Sequence, residues 1–262
     1  MTKLQWAVIA SAVGMFFLIY LGCETTPENI KALEKSRALA AESTDINTLL
    51  QDARSTLDNR ASGSILALET ELEKTPADSA RAEVFKRLAS KWYELGHPAI
   101  SGYYAQQVAE LAGGEEAWSI AGTTYTICVQ QSQEQKTRDF CTGRAVQAFE
   151  NAISLNPQET AHQVNLALAY ASNPPPDNPM KGILMLRDLN QKDPDNVLVL
   201  NTLARLAIQT GQYPRAVERL ERALSLEPDN SNTICLLAEA YRGSGETEKA
   251  EAFAGRCRSL QR

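Results

Sequence analysis

The sequence has 262 residues, of which 44% are hydrophobic, and its formal net charge is −6. Such a chain is long enough for one large or two small domains with a buried core. Lysine and arginine are scattered rather than clustered, which argues against nucleic acid as a partner, because phosphate binding depends on massed cations. The count of two histidines argues against a metalloenzyme or a histidine acid–base catalyst. We therefore expect no catalytic site, no metal, no cofactor and no small-molecule substrate.

The first segment with a distinct character is residues 4–22, which carry no charge. A helix of about 19 residues spans about 28 Å, close to the hydrocarbon thickness of a bilayer. Lys3 precedes the segment, and Glu24 and Glu28 follow it. The positive-inside rule then predicts a single-pass anchor in the cell membrane, with a cytoplasmic N-terminus and residues 24–262 in the periplasm.

A second fate for the same segment is cleavage. Tyr20, Leu21, Gly22 and Cys23 resemble a bacterial lipobox, in which a small residue precedes a lipid-modified cysteine. The departure is Tyr20, since that position is usually Leu, Val or Ile. The segment is thus either retained as a transmembrane helix or cut before Cys23, which would then carry the lipid. Its length is rather long for the apolar region of a signal peptide, and this favours the anchor.

Residues 24–81 are predicted to form a helical stalk. Residues 30–41 are rich in alanine, leucine, lysine and glutamate, and Asp45 is a suitable cap for a following helix. A further helix from about residue 62 ends before Pro76. Residues 43–74 are a candidate degenerate repeat. No stretch of the sequence alternates with a period of two, so the chain is predicted to be all-α.

A regular spacing organises the C-terminal half. Pro194 and Pro228 each begin the tripeptide Pro-Asp-Asn, and their sequence numbers differ by 34. Between them, small residues such as Ala204 and Ala216 alternate with Leu203 and Leu220, as two closely packed antiparallel helices require. Adding 34 predicts suitable residue types farther along, and the sequence supplies them at Ile234, Leu237, Ala238, Tyr241, Gly245 and Ala250.

This pattern resembles the tetratricopeptide repeat, a pair of antiparallel helices with a period of about 34 residues. Trp118, Ala121, Gly122 and Tyr125 are similar to the family's W-x2-L-G-x2-Y, and an insertion of about eleven residues follows around residues 131–140. The resemblance implies a right-handed superhelix of antiparallel helix pairs, preceded by the N-terminal hydrophobic helix. Its five units are residues 82–114, 115–158, 160–194, 197–230 and 231–262.

In this family, the first helix of each pair lines a concave groove that binds a peptide or a partner helix. Asn201 and Arg205, four residues apart, are predicted to hold a carboxylate or a peptide backbone. Carried over position by position, the predicted groove residues are Lys86, Tyr93, Ser119, Thr123, Val164, Leu168, Asn201, Arg205, Ile208, Glu239 and Arg242.

The resemblance implies a scaffold for protein–protein interaction. Together with residues 4–22, it suggests a membrane-tethered scaffold of the bacterial cell envelope that faces the periplasm. The alternative is an accessory subunit of an envelope enzyme or assembly complex, either of the cytochrome c maturation type or an outer-membrane lipoprotein.

The cysteines and histidines are the other candidates for chemistry. Cys128 and Cys141 flank the insertion on neighbouring predicted helices, and in an oxidising compartment a bridge between them would contribute about 2–4 kcal/mol. The alternative is a pair of small buried side chains. Cys235 and Cys257 lie near facing ends of the last helix pair, where helix phase decides whether they can bridge. Both histidines, at positions 97 and 162, are expected at the surface.

Overall fold

The computed structural model describes residues 45–260, and over this range it contains twelve α-helices and no strand. The hydrophobic segment 4–22, Cys23 and the first part of the predicted stalk lie outside the described residues. Between residues 45 and 260, no helix combines the length and the apolar character needed to cross a bilayer. The helices are α1 (Ile46–Thr56), α2 (Asn59–Glu73), α3 (Asp78–Glu94), α4 (Pro98–Ala112), α5 (Glu115–Gln131), α6 (Gln135–Leu155), α7 (Thr160–Ser172), α8 (Lys181–Lys192), α9 (Val197–Gln209), α10 (Tyr213–Leu226), α11 (Ser231–Ser244) and α12 (Thr247–Leu260).

The repeated Pro-Asp-Asn tripeptide separates one helix pair from the next. Helices α8 and α10 both end just before the proline, which cannot continue a helix. The asparagine then caps the following helix: Asn196 accepts a hydrogen bond from the Val199 amide at 3.2 Å, and Asn230 accepts one from the Thr233 amide at 3.0 Å. Each such cap stabilises its helix by about 1 kcal/mol.

The helices α3 to α12 form five consecutive pairs, and α3 begins four residues before the first predicted unit, 82–114. We call α3, α5, α7, α9 and α11 the first helices and α4, α6, α8, α10 and α12 the second helices. Within the described range, successive first helices from α5 to α11 contact one another, whereas among the second helices only α4 and α6 come close. The stack therefore curves with its first helices on the inside. Helix α2 packs on α3, and α1 packs on α4.

Large apolar side chains and small residues share the core. Every pair contributes at least one fully buried large side chain: Trp92, Ile100, Tyr125, Phe149, Leu186, Leu220 and Leu237. Glycine allows the closest approaches, since a Cβ atom added at Gly122 would lie 2.7 Å from the ring of Phe149. A continuous core of this kind stabilises each pair through its neighbours.

The connection between α5 and α6 differs from the predicted insertion. Only residues 132–134 are non-helical, and the extra residues lengthen α6 to 21 residues. Arg138 holds this short turn, because its guanidinium donates to the carbonyls of Ser132 and Gln133 at 3.1 and 2.8 Å. The inserted residues therefore form helix rather than a loop, and part of this helix is buried against α5.

Two disulfides each join the two helices of one pair. Cys128 of α5 and Cys141 of α6 are bonded with a Cα–Cα distance of 6.1 Å, and both are buried. Cys235 of α11 and Cys257 of α12 are bonded with a Cα–Cα distance of 4.9 Å. Helix phase thus brings the second pair of cysteines together as well as the first.

Candidate functional site

The first helices form the inner face of the stack, and all of the predicted groove residues belong to them. Two of these residues, Ser119 and Leu168, are half-buried. The exposed ones are Lys86, Tyr93, Thr123, Arg205, Glu239 and Arg242. Arg242 lines a cavity together with residues of α12, and the other seven residues extend over all five first helices.

Asn201 is not a groove residue. Its side chain is buried with 2% exposure, and its Nδ2 atom donates to Thr233 Oγ1 of α11 at 2.9 Å. The amide thus joins two successive first helices and cannot turn towards a ligand without leaving a buried polar group unpaired. Arg205 remains exposed, with its guanidinium 3.3 Å from Asn232 Oδ1. The prediction that Asn201 and Arg205 grip a carboxylate together was wrong for Asn201.

Val164 and Ile208 were also wrongly assigned to the groove. Val164 packs with Leu186 and Val199, and Ile208 packs in the cluster that joins α9, α10 and α11. Both side chains are buried. The physical reason is the same as for Asn201: successive first helices approach so closely that these positions face a neighbouring helix rather than solvent.

An apolar notch opens on the inner face between α3 and α5. Its volume is about 390 Å³, and α4 forms its floor. Ile120, on one wall, is 54% exposed, and Tyr93 on α3 is 49% exposed. The residues that line the notch are Lys86, Ala89, Ala105, Val108, Ala112, Glu116, Ala117 and Ile120. Large exposed apolar side chains beside a concave apolar surface are typical of an interaction site.

Opposite charges stand at the rim of the notch. Lys86 pairs with Glu83 of its own helix at 2.7 Å, and both side chains are more than half exposed, so this pair contributes little to stability. The Glu116 side chain forms no hydrogen bond or ion pair within residues 45–260. The notch therefore has an apolar floor with one cation and one anion at its edges.

Sequence reasoning missed Ile120 as a site residue. The sequence pattern that could have identified Ile120 is its position beside the buried stripe of Ala121, Gly122 and Tyr125 on α5, and not within that stripe. An isoleucine out of register with the buried face of a helix is either a random surface residue or part of a site. Only the position of α4 and α3 around it distinguishes these two cases.

The histidines do not lie where the sequence predicted. His162 is 6% exposed rather than at the surface, and neither ring nitrogen forms a hydrogen bond within the described part of the chain. Its Nε2 atom lies 3.8 Å from a carboxylate oxygen of Glu115, too far for a hydrogen bond. His97 is half-buried with its ring edge-on to Trp92, and this burial lowers the pKa of its imidazole.

Between residues 45 and 260, no group of three or more His, Cys, Asp or Glu side chains could hold a metal ion. Burial raises the pKa of the Tyr125 phenol well above its ordinary value, and the protonated hydroxyl donates to Gln106 at 3.1 Å. Tyr241 likewise donates to Glu221 at 2.5 Å. These polar contacts connect helices rather than line a pocket.

Comparison with known proteins places these features in context. A family model described as the TPR domain of cytochrome c-type biogenesis protein H matches residues 140–234. A tetratricopeptide repeat protein from Parabacteroides merdae has 16% sequence identity, covers 82% of this chain and 76% of its own, and gives a TM-score of 0.53. A thermophilic TPR protein of Thermus thermophilus has 18% identity over 71% of this chain and 90% of its own, with a TM-score of 0.47. No curated protein matches the chain by sequence.

Proposed function

We propose that this chain, which is a tetratricopeptide repeat protein, is a membrane-tethered scaffold that binds a peptide segment of a partner protein in the cell envelope. Its helix pairs are a scaffold for protein interaction, as in the family at large. The partner's binding site and the location of the chain are both part of this proposal. The partner's segment lies along the inner face and places a large apolar side chain in the notch between α3 and α5.

The apolar notch is the observation that carries this proposal. Its floor consists of small side chains, Ala105 and Ala112 among them, so a partner's leucine or phenylalanine has room to enter. Burying such a side chain contributes about 1.5–3 kcal/mol. Ile120 and Tyr93 together would lose much of their exposed apolar surface on binding. The exposed charges farther along, at Arg205 and Glu239, would orient the rest of the segment.

Three features support the location in the envelope. Two disulfides, each within one helix pair, are typical of an oxidising compartment such as the periplasm. Residues 4–22 have the length and apolar character of a membrane anchor. The match to a cytochrome c biogenesis TPR domain over residues 140–234 favours an accessory role in an envelope assembly complex, where a tethered scaffold would hold a partner near the membrane.

Replacing Ile120 with aspartate should abolish peptide binding by the notch. Nine-residue peptides displayed on phage are selected on the wild-type chain, and the selected peptide is then titrated by fluorescence anisotropy. We expect the selected peptides to carry a large apolar residue. Ile120→Asp should lower their affinity by about a hundredfold, since a charge in a desolvated apolar site is costly.

The matched control is Leu66→Asp, because Leu66 on α2 is 64% exposed and lies away from the inner face. It should leave the affinity unchanged. If selected peptides bind Ile120→Asp as tightly as the wild type, the notch is not the binding site.

The N-terminus of the protein purified from native membranes tests the tether. Intact-mass spectrometry should show either residues 4–22 retained, as for the anchor, or a start at Cys23 with added acyl mass, as for a lipoprotein. A start after residue 22 without lipid, together with loss from the membrane fraction, would contradict membrane attachment.

A further inference from the structure

A cavity of about 460 Å³ opens on the last helix pair. One residue of α11 and five residues of α12 line it. On α12 these residues stand at positions i, i+3, i+4, i+7 and i+11, counted from Thr247, which puts them on one face of the helix. We call the six lining residues the end face: Arg242, Thr247, Ala250, Glu251, Ala254 and Arg258.

Each end-face residue has a counterpart one repeat period earlier in the chain, at a sequence number lower by 34. All six counterparts belong to a single apolar cluster, in which α9 and α10 pack against α11. They are Ile208, Tyr213, Ala216, Val217, Leu220 and Leu224. On the α9–α10 pair, the counterparts form the surface on which the next first helix, α11, packs. The end face is the equivalent surface of the α11–α12 pair. Its shape is suited to a helix.

The chemistry of the end face differs from that of its counterparts. Arginine replaces the aliphatic side chain at both edges, at Arg242 and Arg258, and Glu251 replaces a valine in the middle. The floor consists of Ala250 and Ala254, whose small side chains allow a helix to approach closely. An apolar helix such as α11 would leave the three charges buried and unpaired, which is strongly unfavourable. A helix that docks here must carry complementary charges.

The two arginines are the cations of this pair that have no partner within the described residues. By contrast, Lys249 pairs with Glu246 at 2.7 Å, and Arg256 donates to the Pro228 carbonyl at 3.0 Å. The Cys235–Cys257 bridge ties α11 to α12, so Arg242 and Arg258 stand on two helices that are covalently held together. Arginine in such a setting is suited to bidentate binding of carboxylates.

We propose that the end face is a second docking surface, which binds an acidic helix of a protein partner. Arg242 precedes the short turn that leads to Thr247, the first residue of α12. The spacing of the two arginines therefore follows the span from Thr247 to Arg258, which is eleven residues, or about 16 Å and three helical turns. The partner's helix therefore carries a carboxylate opposite each arginine and a cation opposite Glu251, with small residues over Ala250 and Ala254. This surface is separate from the apolar notch, so the chain can bind two segments at once.

Two synthetic helical probes test this proposal on the full chain. The first is a fluorescein-labelled, alanine-rich peptide of about 18 residues with two glutamates eleven positions apart and a lysine midway between them; the second has glutamine in place of both glutamates. We expect the glutamate probe to bind at least tenfold more tightly, about one power of ten in Kd, and its affinity to fall with added salt. Arg242→Ala with Arg258→Ala should remove the difference between the probes.

A charge-matched control separates specific from general electrostatics. Arg60→Ala with Lys192→Ala removes the same charge from exposed positions on α2 and α8 and should leave the probe affinities unchanged. Equal affinity of the two probes for the wild type, or no binding up to about 1 mM, overturns the proposal. If Ile120→Asp abolishes glutamate-probe binding and the double arginine variant does not, the probe occupies the notch, and the end-face proposal fails while the proposed function stands.

Discussion

Replacing Gly182 with alanine should lower the free energy of unfolding by about 3 kcal/mol. Gly182 is buried in the first turn of α8, where that helix crosses α7. A Cβ atom there would lie 2.3 Å from the Ala167 carbonyl oxygen and 2.7 Å from the Ala171 amide nitrogen. Both are backbone atoms of a helix, so the contact cannot be relieved by a rotamer change. The two helices must move apart.

The matched control is Gly143→Ala, because Gly143 lies in the interior of α6 with no atom within 4 Å of an added Cβ. There alanine should stabilise the helix by up to about 1 kcal/mol. Guanidinium unfolding followed by circular dichroism measures both changes. Because the α7–α8 pair lies in the middle of the stack, Gly182→Ala should also uncouple the pairs on either side and broaden the transition. A Gly182→Ala protein as stable as the wild type would contradict the close α7–α8 contact.

Loss of the Cys128–Cys141 bridge should also cost about 3 kcal/mol of unfolding free energy. The bridge closes a loop with a sequence separation of 13 and restricts the unfolded chain. Both sulfur atoms belong to buried residues in the cluster around Tyr125 and Phe149, so Cys128→Ala with Cys141→Ala also leaves a gap in the core. Guanidinium unfolding of the double variant, with and without dithiothreitol, measures the effect.

The second bridge provides the comparison. Cys235→Ala with Cys257→Ala removes a bridge from the last described pair, where only α11 and α12 depend on it directly. Hydrogen exchange of the α11 and α12 amides should quicken, while that of α5 to α8 stays the same. If loss of the Cys128–Cys141 bridge leaves the unfolding midpoint unchanged, the bridge does not form in the folded protein in solution.

Much of the fold could be predicted from local chemistry. The prolines and asparagines of the two Pro-Asp-Asn tripeptides end and cap helices through contacts within a few residues. The alternation of small and large residues around Leu203, Leu220 and Leu237 identifies the faces that become buried. These signals depend on neighbours along the chain or on a fixed period, so they can be read without coordinates.

The inner face shows the limit of prediction from local sequence patterns. By helical spacing, Asn201 and Arg205 lie on one side of α9. Nevertheless the Asn201 side chain is buried and hydrogen-bonded to Thr233, whereas Arg205 is exposed. Period alone says which way a side chain points from its helix axis. It does not say how close the next helix comes, and this distance decides whether a position is groove or core. The same reason explains the burial of His162.

The sequence by itself determined the helical pairs and their repeating register, because helix caps, chain breaks and packing faces are local or periodic properties. The tertiary structure alone decided which inner-face residues reach solvent, that α3, α4 and α5 enclose an apolar notch beside Ile120, and that the six end-face residues form one cavity. Each of these depends on the distance between helices that are far apart in sequence. That distance is set by the sum of many side-chain contacts, and no single stretch of the chain encodes it.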